Sequence, residues 1–201
     1  MESKSPPNPR NLTLNGLTRF FNYMIVYVSP DALRAARALA RLNQREVAAK
    51  LHISRKAMTA CESGEGATLA AIARLRQFYD GLGIEFLGCA DFTTNKVTGA
   101  GARWKSSDSG LEQNVPHDFH GEPTCHAFAA ARGLLGLDQT QVAARVYLTP
   151  RQIGNLEAGT SYTKESYKSL QTFYEDSGIE FLGSGGPDSL FWGVGVRWRK
   201  R

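Results

Sequence analysis

Residues Asn43–Gly64 read NQREVAAKLHISRKAMTACESG. Asn43 and Glu46 stand at capping-box spacing: the cap side chain takes the third helical N–H, and the acid returns to the cap's own N–H. Val47, Ala48 and Leu51 then share one helical face, while Arg45 and Lys50 face away. Ile53 is an apolar plug in a short turn. Ser54 can cap a second helix. On that helix Met58, Cys61 and Glu62 lie inward, and Arg55, Lys56 and Thr59 lie outward. Gly64 can end it with φ > 0. The stretch predicts two short helices joined by a tight turn.

Shifted by 95 residues, the chain matches itself. ALRAARALARLNQREVAA (32–49) lies over AFAAARGLLGLDQTQVAA (127–144), and FYDGLGIEFLG (78–88) over FYEDSGIEFLG (173–183). GAGARWK (99–105) lies over GVGVRWR (193–199), after a one-residue gap. Such a period is too long for a solenoid and suits a duplicated domain. In the second copy Asp138 and Gln141 form one capping-box pattern. Thr149-Pro150-Arg151-Gln152 forms another, with Pro where its missing N–H costs nothing.

Gln44, Val47-Ala48, Leu51, Ile53-Ser54, Met58, Glu62 and Gly64 resemble the helix-turn-helix of the phage repressor (Cro/C1-type, XRE) family. The resemblance implies two tandem helical DNA-binding domains, each with its second helix in the major groove. It implies that Gln44 and Gln139 meet the DNA backbone. It places Arg55, Lys56 and the Thr59/Ala60 pair at base edges in the first copy. In the second copy those positions fall on Pro150, Arg151 and Asn155, with Gln152 flanking. Arg and Lys suit guanine O6/N7, and Asn suits adenine. Arg45, Ser54 and Thr149 complete the expected interface, because an exposed first helical turn offers N–H groups to phosphate. The resemblance also implies two structural ion pairs, Arg37 with Glu62 and Arg132 with Glu157. Two departures stand out. Glu65 follows Gly64, and Thr160-Ser161-Tyr162 occupies the second site, where the family often carries basic residues.

The chain has 201 residues and a net charge of +5, with 42% hydrophobic residues, enough for two small cores. Residues 31–105 carry +5 and residues 106–125 carry −4, so the first copy is the basic one. Such a balance favours a polyanionic partner. No run of 18 apolar residues exists, so no membrane span is expected. The polar, Pro-rich start does not read as a signal peptide. The odd, scattered Cys61, Cys89 and Cys125 suit a reducing compartment, so a cytoplasmic, nucleoid-associated protein is expected.

Residues 1–28 read as a tail and a β-type arm. The segment 11–28, NLTLNGLTRFFNYMIVYV, suits a strand that covers a core or forms a dimer. Ser29-Pro30-Asp31 starts a helix reaching about Leu42, with Ser29 as cap. After Gly64, Thr68–Leu82 predicts a helix. Ile84–Leu87 and Ala100–Trp104 are β-type runs that can pair as a hairpin. The same pieces return as Thr163–Ser177, Ile179–Leu182 and Val194–Trp198. Two strands alone are marginal in water, so the hairpins are expected to join in a shared sheet. Residues 29–105 form the first domain with its hairpin, 106–124 an acidic linker, and 125–201 the second domain. The fold class expected is mainly α with short β-hairpins, α+β.

His117, His120, Cys125 and His126 are zinc-ligand types, but a solvated linker and helix start explain their spacing without metal. No phosphate loop, metalloprotease helix or nucleophile elbow occurs. Neither enzymatic activity nor a cofactor is therefore expected. The reading is a DNA-binding transcriptional regulator of bacterial or phage type, whose two domains form an intramolecular pseudo-dimer over two half-sites. It leaves open a homodimer or a protein partner through residues 11–28 or the hairpins. The competing reading is an anti-activator or antitoxin-like interaction module that keeps the fold but binds protein.

Overall fold

The computed structural model describes residues 28–91, 96–105, 120–185 and 190–200. The arm expected over 11–28 lies outside them except for Val28, which is buried. Most of the linker, 106–119, and His117 with it, also lies outside.

The first copy comprises α1 (Pro30–Leu39), α2 (Gln44–Lys50), α3 (Arg55–Ser63), α4 (Leu69–Gly81), β1 (Ile84–Asp91) and β2 (Lys96–Trp104). The second repeats the order as α5 (Phe128–Leu135), α6 (Gln139–Val146), α7 (Pro150–Ala158), α8 (Lys164–Asp176), β3 (Ile179–Ser184) and β4 (Trp192–Trp198). The fold is α+β, with a four-stranded antiparallel sheet in the order β1-β2-β4-β3. The hairpins do join in one sheet, as the marginal stability of two strands requires. No helix among the described residues is long and apolar enough to cross a membrane.

Helix α1 ends earlier than Leu42. At Arg41 the backbone turns left-handed (φ 54°), Arg41 N–H reaches Ala38 O at 3.0 Å and Leu42 N–H reaches Arg37 O at 3.2 Å. This is the paired closure of a Schellman motif. Gly136 makes the same turn after α5, at φ 69°. Ser29 occupies the cap position of α1 without capping it. Pro30 has no N–H to offer, and the Asp31 carboxylate takes the Ala32 N–H at 3.0 Å. The Ser29 hydroxyl is buried without a partner among the described residues.

The strand register displays an approximate twofold relation. Gly101 pairs with Arg197, Ala102 with Val196 and Arg103 with Gly195. By repeat position Ala102 corresponds to Val196, so the axis passes between them. Glycine is required on both strands here. A Cβ on Gly101 would lie 2.1 Å from Val196 O, and one on Gly195 would lie 2.3 Å from Ala102 O. Inward from the sheet point Ile84, Ala102, Trp104, Ile179, Val194 and Val196, all buried. Outward, Arg103 pairs with Glu85 and Arg197 with Glu180. Arg197 holds the Glu180 carboxyl below the usual carboxylate range.

Under the sheet, α1 crosses α5 through Ala35, Ala36, Ala130 and Ala131, all buried. A Cβ on Gly133 would sit 2.8 Å from Arg34 O, so the backbones approach closely. Buried side chains of both copies form one continuous core rather than two separate ones. We predict that Gly195→Ala lowers stability by about 1–3 kcal/mol, the usual cost of forcing atoms into a packed site. Gly81→Ala, at a position open to solvent, should raise it by about 0.4–1 kcal/mol. Urea unfolding measures both; equal effects would contradict the close pairing of β2 and β4.

Candidate nucleic-acid interface

Each copy presents a pair of short helices. Asn43 Oδ1 accepts the Glu46 N–H at 3.0 Å, and Glu46 Oε2 accepts the Asn43 N–H at 2.7 Å. Asp138 and Gln141 repeat this box at 2.8 and 2.9 Å. Ser54 Oγ takes the Ala57 N–H at 3.1 Å to open α3, and the Thr149–Gln152 box opens α7. Between the helices the chain turns left-handed at His52 (φ 50°) and at its counterpart Tyr147 (φ 56°). A side chain there costs roughly 1–2 kcal/mol. The turn is held by Ile53 N–H to Ala48 O and Leu148 N–H to Ala143 O, both 3.0 Å.

A buried polar cluster fixes the second helix of each pair. Arg37 Nε and Nη2 donate to the two Glu62 oxygens at 2.6 and 3.1 Å. Arg132 does the same to Glu157 at 2.5 and 3.0 Å. Each arginine also reaches the carbonyl five residues on, Leu42 or Leu137, at 3.3 Å. Both expected ion pairs therefore form. The Glu62 side chain is only 3% exposed, and a carboxylate so buried must be neutralised and hydrogen-bonded.

That demand engages two residues expected at DNA. Gln44 Nε2 donates to Glu62 Oε2 at 2.7 Å, and Gln139 Nε2 to Glu157 Oε2 at 2.8 Å. Each amide thus gives an N–H to the buried carboxylate and is held against it, while both residues stay half-buried. Behind the cluster, Tyr79 and Tyr174 are fully buried, with hydroxyls lacking a partner among the described residues. Burial, and then the nearby Glu62 or Glu157, push both phenols well above their usual range.

Of the remaining predicted residues, Arg45, Ser54, Arg55, Lys56 and Thr59 are exposed on the first copy, and Ala60 is half-buried. On the second copy Thr149, Pro150, Arg151 and Gln152 are exposed and Asn155 is half-buried. The Gln152 amide oxygen is occupied by the Thr149 N–H and hydroxyl, at 2.8 and 2.9 Å. The outward cations are unevenly shared. Arg55, Lys56 and Arg45 answer by position to Pro150, Arg151 and Thr140. The two surfaces therefore differ in charge as well as in sequence.

Two arginines escaped the sequence reading. Arg74 of α4 reaches the Leu51 carbonyl at the end of α2, at 2.5 Å. Arg34 of α1 bonds Gly133 O at 2.9 Å, Leu134 O at 3.3 Å, and Glu62 O. Neither recurs: their counterparts are Ser169 and Ala129, so the repeat gave no signal. The zinc-type residues are otherwise engaged. His120 stacks on Trp104 and bonds Glu122 at 2.7 Å. His126 Nδ1 meets the Cys125 sulfur at 3.2 Å and the Tyr167 hydroxyl at 2.6 Å. Burial lowers the His126 pKa and raises that of the Cys125 thiol. Among the described residues no three His, Cys, Asp or Glu side chains are grouped to hold a metal.

No family model matches the chain, and no match was found among curated proteins or solved structures. The buried cluster makes a direct prediction about stability. Glu62→Ala strands the Arg37 charge and should cost about 3–5 kcal/mol, whereas Glu65→Ala, on an exposed residue, should change stability by no more than about 0.5 kcal/mol. Chemical denaturation of the full chain separates them.

Proposed function

We propose that the chain is a sequence-specific, double-stranded-DNA-binding transcription regulator with two helix-turn-helix units. In this reading α3 and α7 are the recognition helices. The observation that carries it is the duplicated Arg–Glu–Gln cluster. In both copies it locks the second helix of the pair against the core and leaves its first turn exposed. A helix held rigidly with a polar outer face and a capped, open N-terminus is what major-groove reading needs.

Arg55, Lys56 and Thr59 then face base edges in the first unit, and Arg151 with Asn155 in the second. Phosphate contact falls to the exposed first turns of α3 and α7 and to Arg45. Gln44 and Gln139 act as positioning residues, through Glu62 and Glu157. Because the outward residues differ, the two half-sites are unlike, and the operator is an imperfect palindrome. Joining both units in one chain makes the second contact intramolecular and raises overall affinity.

Selection of bound sequences from a random duplex library tests the proposal. A recurrent motif whose binding weakens steeply with salt supports it; no enrichment over input refutes it. We predict that Arg55→Ala costs roughly 1–3 kcal/mol on the preferred duplex and relaxes one base position. Gln44→Ala should leave the preference unchanged. An unaltered preference in Arg55→Ala would remove Arg55 from the groove.

A further inference from the structure

The approximate twofold relation between the copies is broken at Arg34 in a way that leaves a cleft on the other side. On one side Arg34 fills the space between α1, the C-terminal end of α5 and the C-terminal end of α3. Its guanidinium donates to Gly133 O, Leu134 O and Glu62 O and lies 3.3–3.5 Å from the Cβ position of Gly136. Helix C-termini carry unsatisfied carbonyls and partial negative charge, so a cation there is well placed.

On the other side the residue at the position of Arg34 is Ala129. The counterparts of the three acceptors are Ala38, Leu39 and Glu157. Ala129, Ala38, Leu39 and Glu157, together with Arg41 and Gly154, line an open cleft of about 390 Å³. Ala38 O takes the Arg41 N–H at 3.0 Å, just as Gly133 O takes the Gly136 N–H at 3.1 Å. On the Gly133 side the carbonyl's second lone pair is used by Arg34. Each of the three arginines lining the cleft has its own carboxylate: Arg41 pairs with Glu122 at 3.1 Å, Arg132 with Glu157 at 2.5 Å, and Arg37 with Glu62, just outside the lining, at 2.6 Å. By the twofold relation the carbonyls of Ala38, Leu39 and Glu157 answer to those that hold Arg34. The molecule thus contains a filled guanidinium site and, related to it by the approximate twofold, an open counterpart in which Ala38 and Arg41 stand where the filled site has Gly133 and Gly136.

We propose that this cleft binds a small molecule bearing an alkylguanidinium group, which takes the place that Arg34 holds in the other half. A planar fork of donors suits the acceptor set, whereas a compact ammonium reaches fewer of them. The site is independent of the reading as a DNA-binding protein.

The test is NMR titration of the full chain with agmatine and L-arginine, and with putrescine as the ammonium control. Saturable shifts at the amides of Ala38, Leu39, Ala129 and Glu157 are expected with a guanidinium compound and not with putrescine. Agmatine against L-arginine decides whether the carboxylate end is tolerated. Ala129→Arg should abolish the shifts and raise Tm by about 2–4 °C, the effect of roughly 1 kcal/mol in a chain of this size. Ala129→Met, which fills the cleft without a guanidinium, should abolish the shifts without needing the new bonds to form. Absence of saturable shifts with both guanidinium compounds would overturn the proposal. So would equal shifts with putrescine, or shifts that persist in Ala129→Met.

Discussion

A two-stranded hairpin exposes two edges and cannot bury its apolar face alone. Each copy in this chain makes one such hairpin, and the pairing of β2 with β4 covers one edge of each, leaving β1 and β3 at the margins of a four-stranded sheet. Gly101 and Gly195 permit that approach, because a Cβ at either would collide with the backbone of the opposite strand. Once the two central strands pair around Ala102 and Val196, the inner faces of both hairpins become one surface. Helices α1 and α5 are then drawn under it and cross through small residues. The result is a single core with a copy of the α2–α3 arrangement on either side of the crossing.

The second constraint is electrostatic. Glu62 and Glu157 lie against the core, where an unpaired carboxylate would be prohibitive. Each is met by a bidentate arginine and a glutamine amide. Such a cluster stabilises little relative to an apolar replacement, but it specifies geometry, because removing one member strands the others. Its value here is orientation: it ties the first helix of each copy to the C-terminal half of α3 or α7 and leaves the N-terminal half of that helix free.

Much of this was legible in the sequence, for identifiable reasons. Capping boxes are local patterns, so Asn43, Asp138 and Thr149 could be placed from spacing alone. The ion pairs were implied by the family resemblance, and Arg37 and Glu62 recur as Arg132 and Glu157 under the same 95-residue shift. The shared sheet followed from the weakness of a lone hairpin. What escaped depends on three-dimensional neighbours. Nothing in the neighbourhood of Gln44 says that its amide is held by Glu62; that follows from the burial of a carboxylate 18 residues away. Arg34 has no repeat partner and bonds across 99 residues to Gly133. The Ser29 cap failed because Asp31, two residues on, reached the same N–H. The early end of α1 rests on a left-handed Arg41, a residue type that gives no warning of it.

We propose that one chain supplies two unlike DNA-reading surfaces held in fixed relation by β2 and β4. The most direct measurement is the stoichiometry and footprint of the full chain on its selected duplex. One chain per duplex, protecting two dissimilar half-sites with centres about one helical turn apart (~34 Å), is the expected result. Two chains per duplex, or undiminished affinity for a duplex holding one half-site alone, would contradict it.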